Sequence, residues 1–223
     1  MDALIFDFDG VVVDSEPIHL AAFQKVLATV GVPLTREEYY RKYLGFDDHD
    51  CFGAALAAAG RTFDETQLAG LIRQKTLLVQ EAFAESIRPL PGATELIRSA
   101  AVAGLPVGVC SGALREEIEL ASRTVGVMDC FGVIVSARDV KRGKPDPEGY
   151  RLTVARLSEA VGRALAPGRC VVVEDSPAGI EAAKSLGMKV LAVTNSYDAA
   201  ALLAADRVVD SLAAVTVESL ARL

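Results

Sequence analysis

The chain has 223 residues, enough for one generous domain or for a core that carries a smaller insert. Its 23 Lys and Arg against 30 Asp and Glu give a net charge of −7, which argues against a protein that grips nucleic acid through a basic face. With 51% hydrophobic and 24% charged residues it can bury enough apolar surface to fold, which argues against disorder.

Leu4-Ile5-Phe6 opens the chain as a short apolar run followed at once by acidic residues and Gly10, the pattern of a buried strand. Asp2, Asp7 and Asp9 stand where a secretory signal would need basic residues and then an apolar run, so a cytoplasmic protein is expected. From about Ser15 to Arg88 no strong strand run occurs. Leu20, Phe23, Leu27 and Val30 instead mark a helical stripe, and later segments also look helical. This stretch, 15–88, is predicted to be a helical insert between Asp14-Ser15 and the turn-forming Arg88-Pro89-Leu90-Pro91-Gly92. Residues 1–14 and 89–223 would form the core.

The 16 residues Ser99 to Leu114 are the longest uncharged stretch, but Gly104, Pro106, Gly108 and Gly112 interrupt it, and no membrane span is expected. Further strand-like runs follow at Val107–Cys110, Val133–Val135, Cys170–Val173 and Val190–Val193, with a weaker one at Val208-Val209. Their continuous hydrophobicity suits strands buried on both faces. Between them lie helical stripes at Leu114, Ile118, Ala121 and Val125, and at Tyr150, Val154, Leu157 and Val161. Another helix starts at Pro177 and stops near Gly187. Such alternation predicts an α/β fold, a doubly wound parallel-sheet Rossmann-like core with the helical cap inserted after the first strand. Cys51, Cys110, Cys130 and Cys170 are scattered, with no C-x-x-C pair, and are expected to be reduced thiols.

In an open parallel sheet, ligands bind beyond the carboxyl ends of the strands. The first strand ends in Asp7 and Asp9, the second in Ser111-Gly112, and the one at 170–173 in Glu174-Asp175-Ser176, while Lys144 lies in Gly-Lys-Pro-Asp-Pro just before a helix. Four carboxylates converging there repel one another, since two unit charges about 4 Å apart cost roughly 4 kcal/mol at an effective dielectric near 20. Oxygen-only ligands with a partly open shell suit Mg2+. Lys144, the Ser111 hydroxyl and the Gly112 amide add an anion cradle, and together these groups describe a phosphoryl site. Asp7 can attack phosphorus to form an aspartyl phosphate, and Asp9, two residues on, can protonate the leaving oxygen and later deprotonate water.

Asp7-Phe8-Asp9-Gly10-Val11-Val12-Val13-Asp14-Ser15, Ser111, Lys144 in Gly-Lys-Pro-Asp-Pro, and Glu174-Asp175-Ser176 with Gly179 resemble, in order, the four motifs of the haloacid dehalogenase-like (HAD) hydrolases. Asp14-Ser15-Glu16-Pro17-Ile18-His19 is similar to the branch that holds beta-phosphoglucomutase and small-molecule phosphatases. By matched position, the resemblance implies that Asp7 is the nucleophile and Asp9 the general acid and base, with Ser111 and Lys144 on the phosphoryl group. Mg2+ would be held by Asp7, the Asp9 carbonyl and Asp175, with Glu174 either a ligand or a supporting partner. His19 and Lys75 match cap positions that contact substrate or help order Asp9. Asp9 argues against the dehalogenases themselves and the phosphonate-cleaving branch, which lack this aspartate.

Each feature has a plainer reading alone: turn formers for Asp7 and Asp9, helix caps for Ser111 and Glu174-Asp175, a solvated lysine for Lys144, exposed helix residues for His19 and Lys75. Four motifs in order outweigh them. A mutase would need a positive cap loop, but Gly45-Phe46-Asp47-Asp48-His49-Asp50 is acidic, and Asp48 falls where the mutase pattern carries arginine. The expectation is therefore a Mg2+-dependent phosphatase of a small phosphomonoester, of sugar-phosphate or phosphoglycolate type. A beta-phosphoglucomutase-like enzyme is the alternative. A phospho-accepting signalling domain is disfavoured by the insert following the acceptor strand, and a dinucleotide binder by the missing G-x-G-x-x-G. The expected partner is a small phosphorylated molecule, with neither nucleic acid nor membrane, and the expected state is a monomer or weak homo-oligomer.

Overall fold

Five apolar runs and a partly exposed edge segment headed by Arg207 form six parallel strands, and burial on both faces leaves the central ones little choice of side chain. They are β1 (Ala3–Phe6), β2 (Val107–Cys110), β3 (Val133–Val135), β4 (Cys170–Glu174), β5 (Lys189–Val193) and β6 (Arg207–Val209) in the computed structural model, which describes residues 1–223. Every residue of β1, β2 and β4 is buried. The sheet order is β3-β2-β1-β4-β5-β6, the doubly wound Rossmann-like arrangement.

The chain divides into two compact units, Met1–Asp14 with Arg88–Leu223, and Ser15–Ile87. In the second unit four helices, α1 (Glu16–Thr29), α2 (Arg36–Lys42), α3 (Asp48–Ala58) and α4 (Glu65–Ser86), enclose a core that includes Phe23, Leu27, Phe52 and Leu56. Their starts follow from local chemistry. The side chains of Thr35, Asp47 and Asp64 each accept a first-turn amide, and Gln67 completes a capping box with Asp64.

In the sheet unit the outgoing and returning chain segments are stitched together. The Asp14 amide donates to the Arg88 carbonyl and the Leu90 amide to the Val12 carbonyl, both at 3.0 Å. Helices α5 (Ala93–Val102), α6 (Arg115–Thr124), α7 (Glu148–Val161) and α8 (Pro177–Ser185) then alternate with the strands, and a short α9 (Val217–Leu220) ends the chain. The core includes Ile5, Val172, Val190, Tyr150 and Leu157. On α7 the buried stripe is Tyr150, Thr153, Val154 and Leu157, whereas Val161, expected on it, is 40% exposed at the last helical turn before the left-handed Gly162. All four cysteines are free thiols, with Cys51, Cys110 and Cys170 buried. No helix is long and apolar enough to cross a membrane.

Candidate active site

Strand order reverses at β1 and β4, and this is where an open α/β sheet leaves a crevice beyond its carboxyl ends. Phe6 pairs with Val173, so Asp7 and Glu174 leave adjacent strands side by side, and the Asp7 amide is pinned to the Val173 carbonyl at 2.9 Å. Lys144, in the loop before α7, reaches both. Its Nζ lies 2.6 Å from Asp7 Oδ1 and 2.5 Å from Glu174 Oε1.

The neighbouring acids Glu174 and Asp175 differ sharply. Glu174 has no solvent exposure and receives five donors: Lys144 Nζ, the Tyr150 hydroxyl at 2.8 Å, the amides of Asp175 and Ser176 at 2.9 Å, and the Ser176 hydroxyl at 2.8 Å. A carboxylate offers about four lone-pair sites, so these donors use its capacity up. Burial opposes the Glu174 charge, yet Lys144 and the Ser176 amide and hydroxyl hold its carboxyl below the usual range. Asp175 is also buried, and the Ser196 hydroxyl donates to its Oδ2. Burial, then Asp7 and Glu174, push its carboxyl well above the usual range.

Asp7 lies between these cases. Burial raises its carboxyl to about 7, with Lys144 opposing and Glu174 and Asp9 reinforcing the rise. Burial also works against the Lys144 ammonium, but Asp7 and Glu174 hold it well above its ordinary value. The lysine stays charged, and the cluster keeps a surplus of acid.

Two glycines make this packing possible. Gly10 has φ +74, and a Cβ there would lie 1.9 Å from Asp175 Oδ2. At Gly179 a Cβ would fall 1.7 Å from Glu174 Oε1, so the first turn of α8 accepts the glutamate only because that residue has no side chain. Ser176 caps α8 by accepting the Gly179 amide at 3.1 Å.

Asp9 is partly exposed, directly after buried Phe8 and just before the Gly10 turn, and the Ser111 hydroxyl donates to its Oδ2 at 3.4 Å. Ser111 Oγ also accepts the Ala113 amide at 3.0 Å. Gly112 follows Ser111 in this loop; α6 begins only at Arg115, so the Gly112 amide precedes the helix rather than belonging to its first turn. Asp7, Asp9, Ser111, Lys144, Glu174 and Asp175 thus come together at the strand ends.

Oxygens of Asp7, Glu174 and Asp175 all lie within 4.8 Å of one another. An oxygen-only set with two carboxyls raised by burial and mutual repulsion fits a small, hard divalent cation such as Mg2+. The donor count on Glu174 directs that fit to Asp7 and Asp175.

His19 and Lys75 lie in the helical unit. Lys75 is 2% exposed, and its Nζ is 2.7 Å from both His19 Nδ1 and Asp48 Oδ1. Burial and the Lys75 charge hold the His19 imidazole well below its ordinary pKa, hence neutral.

The haloacid dehalogenase-like hydrolase family pattern matches residues 1–187. This chain belongs to that family. Among the similar proteins of the HAD hydrolases is the validoxylamine A 7'-phosphate phosphatase of Streptomyces hygroscopicus subsp. limoneus, 32% identical over 95% of this chain and 94% of the relative. A phosphorylated carbohydrates phosphatase of Thermotoga maritima is 30% identical over 93% of each. Among solved structures, CbbY of Rhodobacter sphaeroides, a mutant in complex with xylulose-(1,5)bisphosphate, has a TM-score of 0.86 at 27% identity, covering 99% of both chains.

Sequence reasoning about this HAD hydrolase missed Tyr150, Asn195 and Ser196. Tyr150 reads as one more residue of an apolar stripe, and the hydroxyl on an otherwise buried helix face was the available signal. Asn195 and Ser196 follow β5, another strand end on the same edge of the sheet, and that position was the available signal.

Proposed function

We propose that this HAD hydrolase is a phosphatase that releases phosphate from a small phosphomonoester of sugar-phosphate type. Met1–Asp14 with Arg88–Leu223 is the catalytic core, and the helical insert is the cap that admits substrate; the insert ends at Ile87, one residue short of the 15–88 expected, because the Arg88 carbonyl pairs back with the Asp14 amide. The observation that carries the reading is the contact of Lys144 with the buried Asp7 at 2.6 Å beside Asp9 and Ser111: an attacking carboxylate, a cation for the phosphoryl oxygens, and a second carboxylate placed for proton transfer. Asp7 attacks phosphorus as the bond to the leaving alkoxide breaks, and Asp9 gives that oxygen its proton. In the second half-reaction Asp9 takes a proton from water, whose oxygen attacks phosphorus and frees Asp7. Asp7, Asp175 and the Asp9 main-chain carbonyl would hold Mg2+, which supplies Lewis-acid neutralisation of phosphoryl charge. Glu174, with its lone pairs taken, serves as the anchor of Lys144.

The helical unit and the relatives both support this substrate class. Lys75 spends its charge on Asp48, so this cluster offers no net positive pole for a second phosphate. The two phosphatase relatives are named for phosphorylated carbohydrates and validoxylamine A 7'-phosphate. Phosphate release from sugar monophosphates, phosphoglycolate, a sugar bisphosphate and beta-glucose 1-phosphate, with Mg2+ and with EDTA, tests the reading. Metal-dependent release from the monophosphates is expected. Preference for the bisphosphate would overturn the one-phosphate reading, and glucose 6-phosphate formed with little free phosphate would make the enzyme a mutase.

A further inference from the structure

Asn195 and Ser196 lie in the loop after β5, and nothing in the four motifs accounts for them. Glu174 pairs with Ala192 across β4 and β5, which brings this loop out beside Asp175. Two bonds anchor its start to the end of β6: the Thr194 amide donates to the Val209 carbonyl at 3.0 Å, and the Thr194 hydroxyl donates to Asp210 Oδ1 at 3.2 Å. From that base the next two residues act on different parts of the site. The Ser196 hydroxyl donates to Asp175 Oδ2, and Asn195 Nδ2 donates to the Gly10 carbonyl at 2.7 Å. The two targets also touch, since a Cβ at Gly10 would meet both Asp175 Oδ2, at 1.9 Å, and Ser196 Oγ, at 2.7 Å. One dipeptide therefore fixes the turn that carries Asp9 and the carboxylate assigned to the cation.

We propose that Asn195 and Ser196 are positioning residues that set the affinity of this chain for its divalent cation by holding Asp175 against the Gly10 turn. Ser196, bonded to Oδ2, fixes the orientation of the Asp175 carboxylate, while Asn195 fixes the backbone next to the Asp9 carbonyl. This rests on the reading that Asp7, Asp175 and the Asp9 carbonyl hold Mg2+. Groups that orient ligands in this way change metal affinity by about 10–100-fold when removed.

Calorimetric titration of the purified full chain with MgCl2 tests the proposal without reference to turnover. Ser196→Ala is expected to weaken Mg2+ binding by about 10–100-fold. Asn195→Ala should weaken it in the same direction, and Ser196→Thr, which keeps the hydroxyl, should restore most of the affinity. Turnover by Ser196→Ala should return towards the wild-type kcat when Mg2+ is raised to saturation, a recovery that general damage to the site would not show. Wild-type affinity in both alanine variants would overturn the positioning role and leave the metal reading standing. If the wild-type chain itself took up no Mg2+, the assigned site would be wrong and both would fall.

Discussion

Each unit holds a lysine withdrawn from solvent, and the two lie in opposite electrostatic settings. Lys75 in the helical unit faces one carboxylate, Asp48, and a neutral imidazole, His19, so its local charges cancel. Lys144 in the sheet unit faces Asp7 and Glu174, with Asp9 and Asp175 close behind, and cannot balance them alone. Burial of a lysine is common to both. The unanswered negative charge surrounds Lys144, and it is this surplus that the proposed divalent cation would offset.

Removing the centre of that surplus should have the largest effect. Asp7→Asn is expected to lower kcat by at least about 10⁴-fold, as loss of a nucleophile does. Its thermal midpoint should stay at or above the wild type, because one of several repelling charges is gone. Steady-state assay and a melt of the same preparation check both halves.

Lys144→Met leaves fully buried Glu174 without its counter-charge and should cost about 3–5 kcal/mol in urea denaturation. Lys75→Met should cost only about 1–2 kcal/mol, since Asp48 is 25% exposed and can turn to water while His19 carries no charge. Equal losses would erase the distinction drawn between the two clusters.

The smallest effect concerns a purely structural acid. Asp139 receives the Ser136 amide and hydroxyl and both Arg115 and Arg156, tying the end of β3 to α6 and α7. Burial acts to raise its carboxyl, but Ser136 and the two arginines outweigh it and hold the group below the ordinary range. A depressed carboxyl stabilises the fold above its unfolded pKa of about 3.9 and loses that contribution as pH falls through the lower folded value. Asp139→Asn should therefore be less stable than the wild type by about 1 kcal/mol at pH 7, given partners that are themselves more than a third exposed. That gap should close as the pH falls below about 4. Urea melts at the two pH values decide it.

Much of the architecture is legible in the sequence because the buried strands leave few residue choices. Leu4-Ile5-Phe6 and Val171-Val172-Val173 have no polar face to confuse the reading, and the acids that follow them mark the strand ends. Helix α5 gave no such signal: its buried face combines Leu96 and Ile97 with Ala93, Thr94 and Ala100, small residues that blur the apolar period. Within the site, the motifs locate Asp7, Lys144 and Asp175, but not how the donors are shared out. Whether Glu174 binds metal or protein depends on five donors, two of which come from Lys144 and Tyr150, 30 and 24 residues away. The bond between Ser196 and Asp175 likewise spans 21 residues, and that from Asn195 to Gly10 spans 185. No local spacing encodes contacts of that kind, which arise only once the sheet register is set.

If Asp7 attacks phosphorus, it carries the phosphoryl group during turnover. Acid quench of the wild-type chain during its first turnovers of a sugar monophosphate, followed by peptide mass spectrometry, tests this most directly, because acid traps the covalent species before water releases it. One phosphoryl group is expected on the peptide that contains Asp7, and none on that peptide of Asp7→Asn. Phosphate release by a chain that is never labelled there, or is labelled at another residue, would contradict it.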